Sequence, residues 1–236
     1  MQSWFSWKGE RSIDKGVWVT TLPGLSRAEE RNEQIEVAGR PGVLTILNGE
    51  DNHEPITLTV VVTAPRNINL QPVLDWLTGG GDVVFSNQPD RAYEAQILDS
   101  VEFMNISNTL CQANVNFICQ PHKKAVPKEG KISKTLVADT AQTIVNPGTV
   151  AARPKLKVTK SAAGNFTMSI GDSIMSFTSA PTVLVIDCDA EIILKSDGTL
   201  WTGTFSGDFF RIPKGTCEIE ADIACSVEIE PNWRWK

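Results

Sequence analysis

The chain has 236 residues, of which 41% are hydrophobic and 21% are charged, a composition typical of a folded protein and not of a disordered one. Its formal net charge of −6 and its pI of about 5.1 argue against sequence-independent nucleic-acid binding, which needs clustered lysine and arginine. The length is sufficient for two domains, each with its own hydrophobic core.

The N-terminal residues and the cysteines indicate where the protein is made. Residues 1–11 mix aromatic with charged side chains and lack the apolar stretch of a signal peptide. No apolar run is long enough to cross a bilayer, so we expect no membrane insertion. The five cysteines form no C-x-x-C pair, and cytoplasmic synthesis would keep them reduced. We therefore predict five free thiols, four of them in apolar strand patterns where cysteine is usually buried.

The first half of the chain shows the two-residue periodicity of β-strands and one helical segment. Apolar and polar residues alternate over 56–63 and again over 113–120, with many β-branched side chains in the first run. Leucine and valine recur at helical spacing over 70–77, which predicts an amphipathic helix. Asn69 is placed to cap its start, and Gly79–Gly81 to end it.

A polar segment with proline and glycine, residues 121–134, predicts a linker between two domains. We place the boundary between residues 128 and 129, giving domains at 1–128 and 129–236. Strand patterns continue in the second half, over 165–170 and at the end of the chain. There Trp233 and Trp235 share the parity of the apolar residues and are expected to face a core.

Residues able to support catalysis or metal binding are few and scattered. His53 follows a polar turn and His122 lies in the predicted linker, so both are expected to be solvated loop residues, away from any nucleophile. The acidic clusters at 50–54 and 187–191 lack the spacing of a calcium-binding loop. We predict no enzyme activity, no catalytic residue, no cofactor and no metal.

Trp201 is the single candidate binding residue. It follows the turn at Ser196–Gly198 in a polar stretch, where an exposed indole could stack on a sugar. The alternative is a tryptophan that packs in a core or an interface. Both interpretations remain open at this point.

Several short motifs, taken in their order along the chain, resemble the distal tail protein (Dit) family of siphophages. Residues 35–42 resemble the characteristic V-P-G-R-x-G turn of that family, with Ala38 in place of its proline. Further motifs follow in the expected order: Asn48-Gly49, the strand at 56–62, Trp76-Leu77, residues 93–95, residues 117–121, Asn146-Pro147-Gly148, Arg153-Pro154, residues 207–215 and residues 231–235.

The resemblance covers the whole chain and implies a mainly β fold. It implies an N-terminal sandwich or barrel-like domain with one helix, which assembles into a hexameric ring, and a C-terminal galectin-like β-sandwich outside the ring. The implied role is that of a virion structural protein, a baseplate or tail-tip hub. Its implied partners are further copies of itself, the tail tube protein, a tail-tip lysin and a receptor-binding protein. DNA would pass through the ring without specific binding.

Two alternatives differ from this interpretation. One is a carbohydrate-binding, lectin-like module that serves host adhesion, for which Trp201 would be the contact. The other is the same hub protein in a contractile or prophage-derived particle. The sequence does not distinguish such a particle from a phage.

Overall fold

The computed structural model describes residues 2–36, 38–39, 41–47, 53–126 and 130–236. The predicted mainly β fold class is confirmed: strands dominate, and only one α-helix lies in this part of the chain. The chain divides into two compact units, Met1–Pro127 with Lys236, and Lys128–Trp235. The boundary that we predicted between residues 128 and 129 falls outside the described residues. No helix formed by the described residues is long and apolar enough to cross a membrane.

The first unit is one strongly curved antiparallel sheet with a helix and a separate hairpin. Its elements are β1 (Phe5–Trp7), β2 (Glu10–Arg11), a 3-10 helix (Ser12–Lys15), β3 (Trp18–Thr21), β4 (Asn32–Glu36), β5 (Val43–Leu47), β6 (Ile56–Pro65), α1 (Gln71–Trp76), β7 (Gly79–Phe85), β8 (Arg91–Ile97), β9 (Met104–Asn105) and β10 (Leu110–Ala125). The sheet order is β2-β1-β7-β8-β10-β6-β3, with β9 beside β10, while β4 and β5 pair only with each other.

The core of this unit comes from the alternation that the sequence shows. Leu58 pairs with Phe117 and Val60 with Val115, and these side chains are buried, as predicted. The first part of β10 pairs with β6 and its last part with β8, so the longest strand joins the two sides of the curved sheet.

Helix α1 closes the core, and its N-cap is Leu70 instead of the predicted Asn69, which lies one residue earlier. The Asn69 side chain accepts a hydrogen bond from the Gln71 amide at 3.1 Å. The Trp76 ring stacks on Phe5 with 5.5 Å between ring centroids, and the Trp7 indole donates to the Trp76 carbonyl at 3.0 Å. The predicted role of Gly79–Gly81 is wrong: the helix ends at Trp76, and the three glycines begin β7, where they pair with β8.

The predicted linker also needs a correction at its start. Residues 121–125 continue β10 and do not form a loop. The pairing of β10 with β8 shifts register between Cys119 and Lys123, which is a β-bulge. Proline cannot donate to a ladder, and bulges are where strands tolerate it, so Pro121 is accommodated here.

The second unit consists of two five-stranded antiparallel sheets around a common core. Its elements are β11 (Ile132–Leu136), β12 (Gln142–Asn146), β13 (Lys155–Lys160), β14 (Gly164–Ile170), β15 (Ser173–Ala180), β16 (Val183–Asp187), β17 (Ile192–Lys195), β18 (Phe205–Gly207), β19 (Gly215–Ala221), β20 (Cys225–Glu230) and β21 (Arg234–Trp235). The sheet orders are β11-β20-β13-β16-β17 and β12-β19-β14-β15-β18. Phe166 and Phe177 stack in the core with their centroids 4.6 Å apart.

The end of the chain is less regular than its pattern suggests. Strand β20 stops at Glu230, and Asn232 adopts a left-handed backbone with a φ of 51°. Trp233 is nevertheless 5% exposed and belongs to the core of the second unit, whereas Trp235 is half-buried against it. All five cysteines are buried free thiols.

Candidate assembly surfaces

The hairpin of β4 and β5 carries an apolar face that no other described element covers. Ile35 lies directly opposite Leu44, and Ile46 is two residues further along β5 on the same face, opposite Glu33. Ile35, Leu44 and Ile46 are 38%, 42% and 41% exposed. The opposite face carries Gln34, Thr45, Glu36 and Val43.

Such a hairpin is not expected to be stable without a partner. An isolated two-stranded hairpin is at best marginally stable in water, and each of its edges offers unpaired backbone groups. Three aliphatic side chains on one face add an apolar surface that burial would stabilise by roughly 25 cal/mol for each Å² removed from water. The hairpin therefore exposes an apolar face and two open strand edges.

The base of the hairpin is fixed by backbone pairing and ion pairs. Glu30 and His53 form an antiparallel bridge, and the Glu54 amide donates to the Glu29 carbonyl at 2.8 Å. Across the base, the Arg31 guanidinium lies 2.7 Å from a Glu54 carboxylate oxygen. The exposed hairpin is thus anchored at its base by backbone hydrogen bonds and an ion pair.

The two histidines meet at this base, contrary to expectation. His53 is not solvated: it is 4% exposed, and among the described residues its ring nitrogens have no hydrogen-bond partner. His122 lies in the bulge of β10, half-buried, and its ring packs edge-on against that of His53 with 5.2 Å between centroids. These residues are 69 positions apart, so no local sequence pattern could have predicted their contact.

A second surface, the polar sheet face, lies on the side of the first unit's sheet opposite the core. It consists of Thr57, Thr59, Thr63, Asp82, Glu94, Gln96, Gln112, Asn114 and Asn116. Neighbouring groups hydrogen-bond across the strands: the Thr59 hydroxyl donates to the Asn116 amide oxygen at 2.8 Å, and the Asn116 amide nitrogen donates to Asp99 at 3.1 Å. None of the nine residues is basic.

One end of the polar sheet face opens into a groove of about 550 Å³. Gly80 and Gly81 of β7 line the groove, and the Lys8 side chain packs against Gly81. Lys124 lines the groove and donates to Glu94 at 2.6 Å, so its positive charge is matched within the groove.

Trp201 lies at the margin of the second unit's core. Its ring is partly buried and tilted against Phe177, with 5.9 Å between centroids. A β-carbon at Gly203 would collide with the indole, so this glycine lets the chain pass close to the ring. A sugar contact through Trp201 stays a prediction.

The second acidic cluster is a turn braced by ion pairs. Residues 188–191 form the turn after β16, and the Asp187 carboxylate accepts the amides of Asp189 and Ala190 at 3.2 and 3.1 Å. Arg234 contacts Asp189 at 2.6 Å, and Arg153 contacts Glu191 at 3.2 Å. The described residues contain no group of three or more potential metal ligands. The first cluster, at 50–54, lies largely outside the described residues.

Comparison with known proteins supports the fold. No family model and no curated protein matches the sequence. Among solved structures, the Dit protein (gp 19.1) of phage SPP1 superimposes with a TM-score of 0.75, covering 97% of this chain and 98% of that one, at 14% sequence identity. The chain has the fold of the SPP1 Dit protein.

The structure also shows where the quoted Dit-like motifs lie. The segment at 35–42 joins β4 to β5 at the tip of the hairpin, although residues 37 and 40 are outside those described. Asn48-Gly49 is likewise outside them. The SPP1 Dit protein is described as a paradigm of the hub adsorption apparatus of phages that infect Gram-positive bacteria.

Proposed function

We propose that this protein is a structural component of a phage tail tip, a distal tail protein that forms a six-membered ring between the tail tube and the host-adsorption apparatus. The observation that supports this most is the shared fold over the full length of both chains, with a hub adsorption protein as the neighbour. In this proposal the first domain, 1–128, builds the ring, and 129–236 is an accessory galectin-like sandwich.

The hairpin supplies a contact for ring formation. Its apolar face and two open edges fit a second copy of this chain, since a ring repeats one head-to-tail contact until it closes. Each subunit would present its hairpin to one neighbour and receive the hairpin of the other. Burial of Ile35, Leu44 and Ile46 would remove the apolar surface that the isolated subunit exposes.

The polar sheet face fits the wall of the channel. DNA binds to clustered lysine and arginine by displacing counterions, so a channel that DNA traverses should lack them. The nine residues of the polar sheet face are hydroxyl, amide and carboxylate groups. By contrast, the outward side of β13 in the second unit carries Lys155 and Lys157.

The role that we propose is structural and not enzymatic. Histidine is the most frequent general base, and both histidines of the chain pack against each other at the hairpin base. The tail tube protein, a tail-tip lysin and a receptor-binding protein are the partners that we propose for the ring.

Two matched substitutions test the ring contact. Leu44→Glu puts a charge on the apolar face of the hairpin, and Thr45→Glu puts the same charge on the opposite face one residue away. We expect Leu44→Glu to weaken self-association at least tenfold, about 1.4 kcal/mol, while Thr45→Glu leaves it nearly unchanged. Native mass spectrometry over a series of protein concentrations measures both.

Circular dichroism provides the control, because both variants should retain the wild-type strand signal. If the two variants associate equally strongly, the hairpin is not part of the contact between subunits. A wild-type protein that remains monomeric at high concentration, together with intact particles that contain no ring of this chain, would contradict the proposed function.

A further inference from the structure

We propose that the hairpin of one copy of this chain binds at β9 of the next copy, on a surface formed by Met104, Ile106 and Arg66, called the β9 patch below. The inference rests on the proposed function and deepens it, because it names the surface that receives the hairpin. A ring built from one repeated head-to-tail contact needs two different, complementary surfaces on each subunit. The apolar face of the hairpin is one of them, so the other lies elsewhere on the same chain.

The exposed apolar side chains of the first unit narrow the choice of receiving surface. Outside the hairpin, the large ones among the described residues are Trp18, Leu25, Leu98, Met104 and Ile106. Met104 pairs with Gln112, and the Ile106 amide donates to the Leu110 carbonyl at 3.1 Å, which continues the pairing of β9 with β10. Met104 and Ile106 are two residues apart in this extended segment, so they lie on the same face. They are 61% and 53% exposed and form an apolar pair on one strand.

The backbone of β9 offers a place for another strand. Of the described strands, only β10 pairs with β9, so the opposite edge of β9 has no strand beside it. The two strands of the hairpin likewise pair only with each other. Unpaired edges are templates for strand addition from a second chain, in which main-chain hydrogen bonds add to the side-chain contacts. An edge of the hairpin can therefore extend the sheet at β9.

The charges of the two surfaces are complementary. The apolar face of the hairpin also carries the exposed Glu33. Arg66 is exposed at the β9 patch, where its guanidinium donates to the Ser107 carbonyl, next to Ile106, at 3.4 Å. No described carboxylate forms an ion pair with this guanidinium. An aliphatic face with one carboxylate thus matches an apolar patch with one cation, and the flexible Met104 side chain adapts to the shape of its partner.

The hairpin and the β9 patch lie at opposite ends of β10. The hairpin leaves the sheet just before β6, whose first residue, Ile56, pairs with Cys119, whereas β9 pairs at Cys111. At roughly 3.3 Å per residue, the eight steps from Cys111 to Cys119 span about 26 Å. Strands β6 and β9 also flank β10 on opposite sides, since both pair with Cys111. The two surfaces are therefore separate, and one subunit can engage two neighbours at once.

Two matched substitutions on β9 test the receiving surface. Met104→Glu puts a charge into the β9 patch, and Asn105→Glu puts the same charge one residue away on the opposite face. Met104→Glu should weaken self-association at least about tenfold, because the contact would then bury a carboxylate on an apolar surface. Asn105→Glu should leave self-association nearly unchanged. Native mass spectrometry of the full chain over a concentration series measures both, and circular dichroism checks that the variants keep the wild-type strand signal.

A mixture of two defective variants tests the match between the surfaces. Leu44→Glu damages the hairpin and keeps the β9 patch, whereas Met104→Glu keeps the hairpin and damages the patch. Each variant alone should stay largely monomeric, but the mixture should form one-to-one dimers, because one intact hairpin meets one intact patch. With one variant labelled with heavy nitrogen, native mass spectrometry should show mixed dimers at least about tenfold more abundant than either homodimer, which follows from a tenfold loss at each damaged contact.

Wild-type association of Met104→Glu, or no mixed dimer from folded variants, would overturn the β9 patch and leave the hairpin contact of the proposed function in place. Mixed dimers from a protein whose wild type grows into open chains would support the patch and refute the closed ring. If Met104→Glu does not fold, Glu33→Arg and Arg66→Glu decide the question. Each alone should weaken association by about two- to fivefold, the range of an exposed ion pair, and the double variant should restore it. A double variant that restores nothing would overturn the patch.

Discussion

At the residue scale, burial controls the chemistry of several ionisable groups in the first unit. Tyr93 and Cys119 are both buried in its core, on the paired strands β8 and β10, where Tyr93 lies opposite Lys123 and Cys119 opposite Ala95. Burial raises the pKa of Tyr93 to about 12, with a smaller contribution from Cys119, and burial alone raises the pKa of Cys119 to about 12. Both groups are therefore neutral at any physiological pH.

Tyr93 gives a direct test because it is the sole tyrosine of the chain. Its folded pKa of about 12 exceeds the ordinary value of 10.0, so its stabilising contribution is complete below pH 10.0 and is lost as pH rises toward 12. Ultraviolet titration of the phenol should give a midpoint near 12 in the native protein and near the ordinary value in denaturant. A midpoint near 10.0 while circular dichroism still shows the native fold would contradict the burial of Tyr93.

At this scale, the contacts that the sequence did not predict are those between residues far apart in the chain. His53 and His122 were assigned to solvated loops because each follows polar or turn-forming neighbours. Their contact depends on a bulge in β10 and on the pairing of Glu30 with His53, and neither is encoded in a local pattern.

At the element scale, alternation predicted the strands that have one buried face. The runs at 56–63, 113–120 and 165–170 became β6, β10 and β14, since a period of two places every second side chain in the core. The hairpin was missed because β4 is polar except for Ile35 and all of its residues are exposed, so neither of its faces joins the core. The β-branched and apolar run at 43–47 was the signal that could have revealed β5.

Trp233 provides a test of how the end of the chain stabilises the second unit. The side chain is 5% exposed in that core, so Trp233→Ala should lower the free energy of unfolding by about 3–5 kcal/mol. Trp18→Ala is the matched control, because Trp18 is 38% exposed. Its replacement should lower the free energy of unfolding by about 1 kcal/mol or less.

Thermal unfolding with limited proteolysis and mass measurement distinguishes the two variants. Trp233→Ala should expose the second unit to protease and leave a resistant fragment from the first. Similar stability losses in the two variants, or cleavage throughout both units, would contradict an independent core closed by Trp233.

At the scale of the whole molecule, the distribution of charge matters more than its sum. The chain carries a net charge of −6, none of the nine residues of the polar sheet face is basic, and Lys124 at the end of that face is paired with Glu94. In the proposed ring this face lines the channel, and a lysine there would be repeated in every subunit. The electrostatic consequence of one substitution is therefore multiplied by the symmetry.

Asn114→Lys should convert the channel into a DNA-binding surface. Asn114 is exposed on β10, and Thr135→Lys on β11 of the second unit adds the same charge outside the proposed channel. We expect double-stranded DNA to bind Asn114→Lys in a strongly salt-dependent way and to bind the wild type and Thr135→Lys much less. Tight DNA binding by the wild type, or by Thr135→Lys alone, would contradict the channel assignment.

The central claim is that copies of this chain close into a six-membered ring. Electron microscopy of purified protein at high concentration, combined with the native mass of the same sample, measures symmetry and copy number together. We predict rings with six-fold symmetry and a mass six times that of the 25.8 kDa chain. A single-chain mass at every concentration, with no six-fold density for this protein in intact particles, would contradict it.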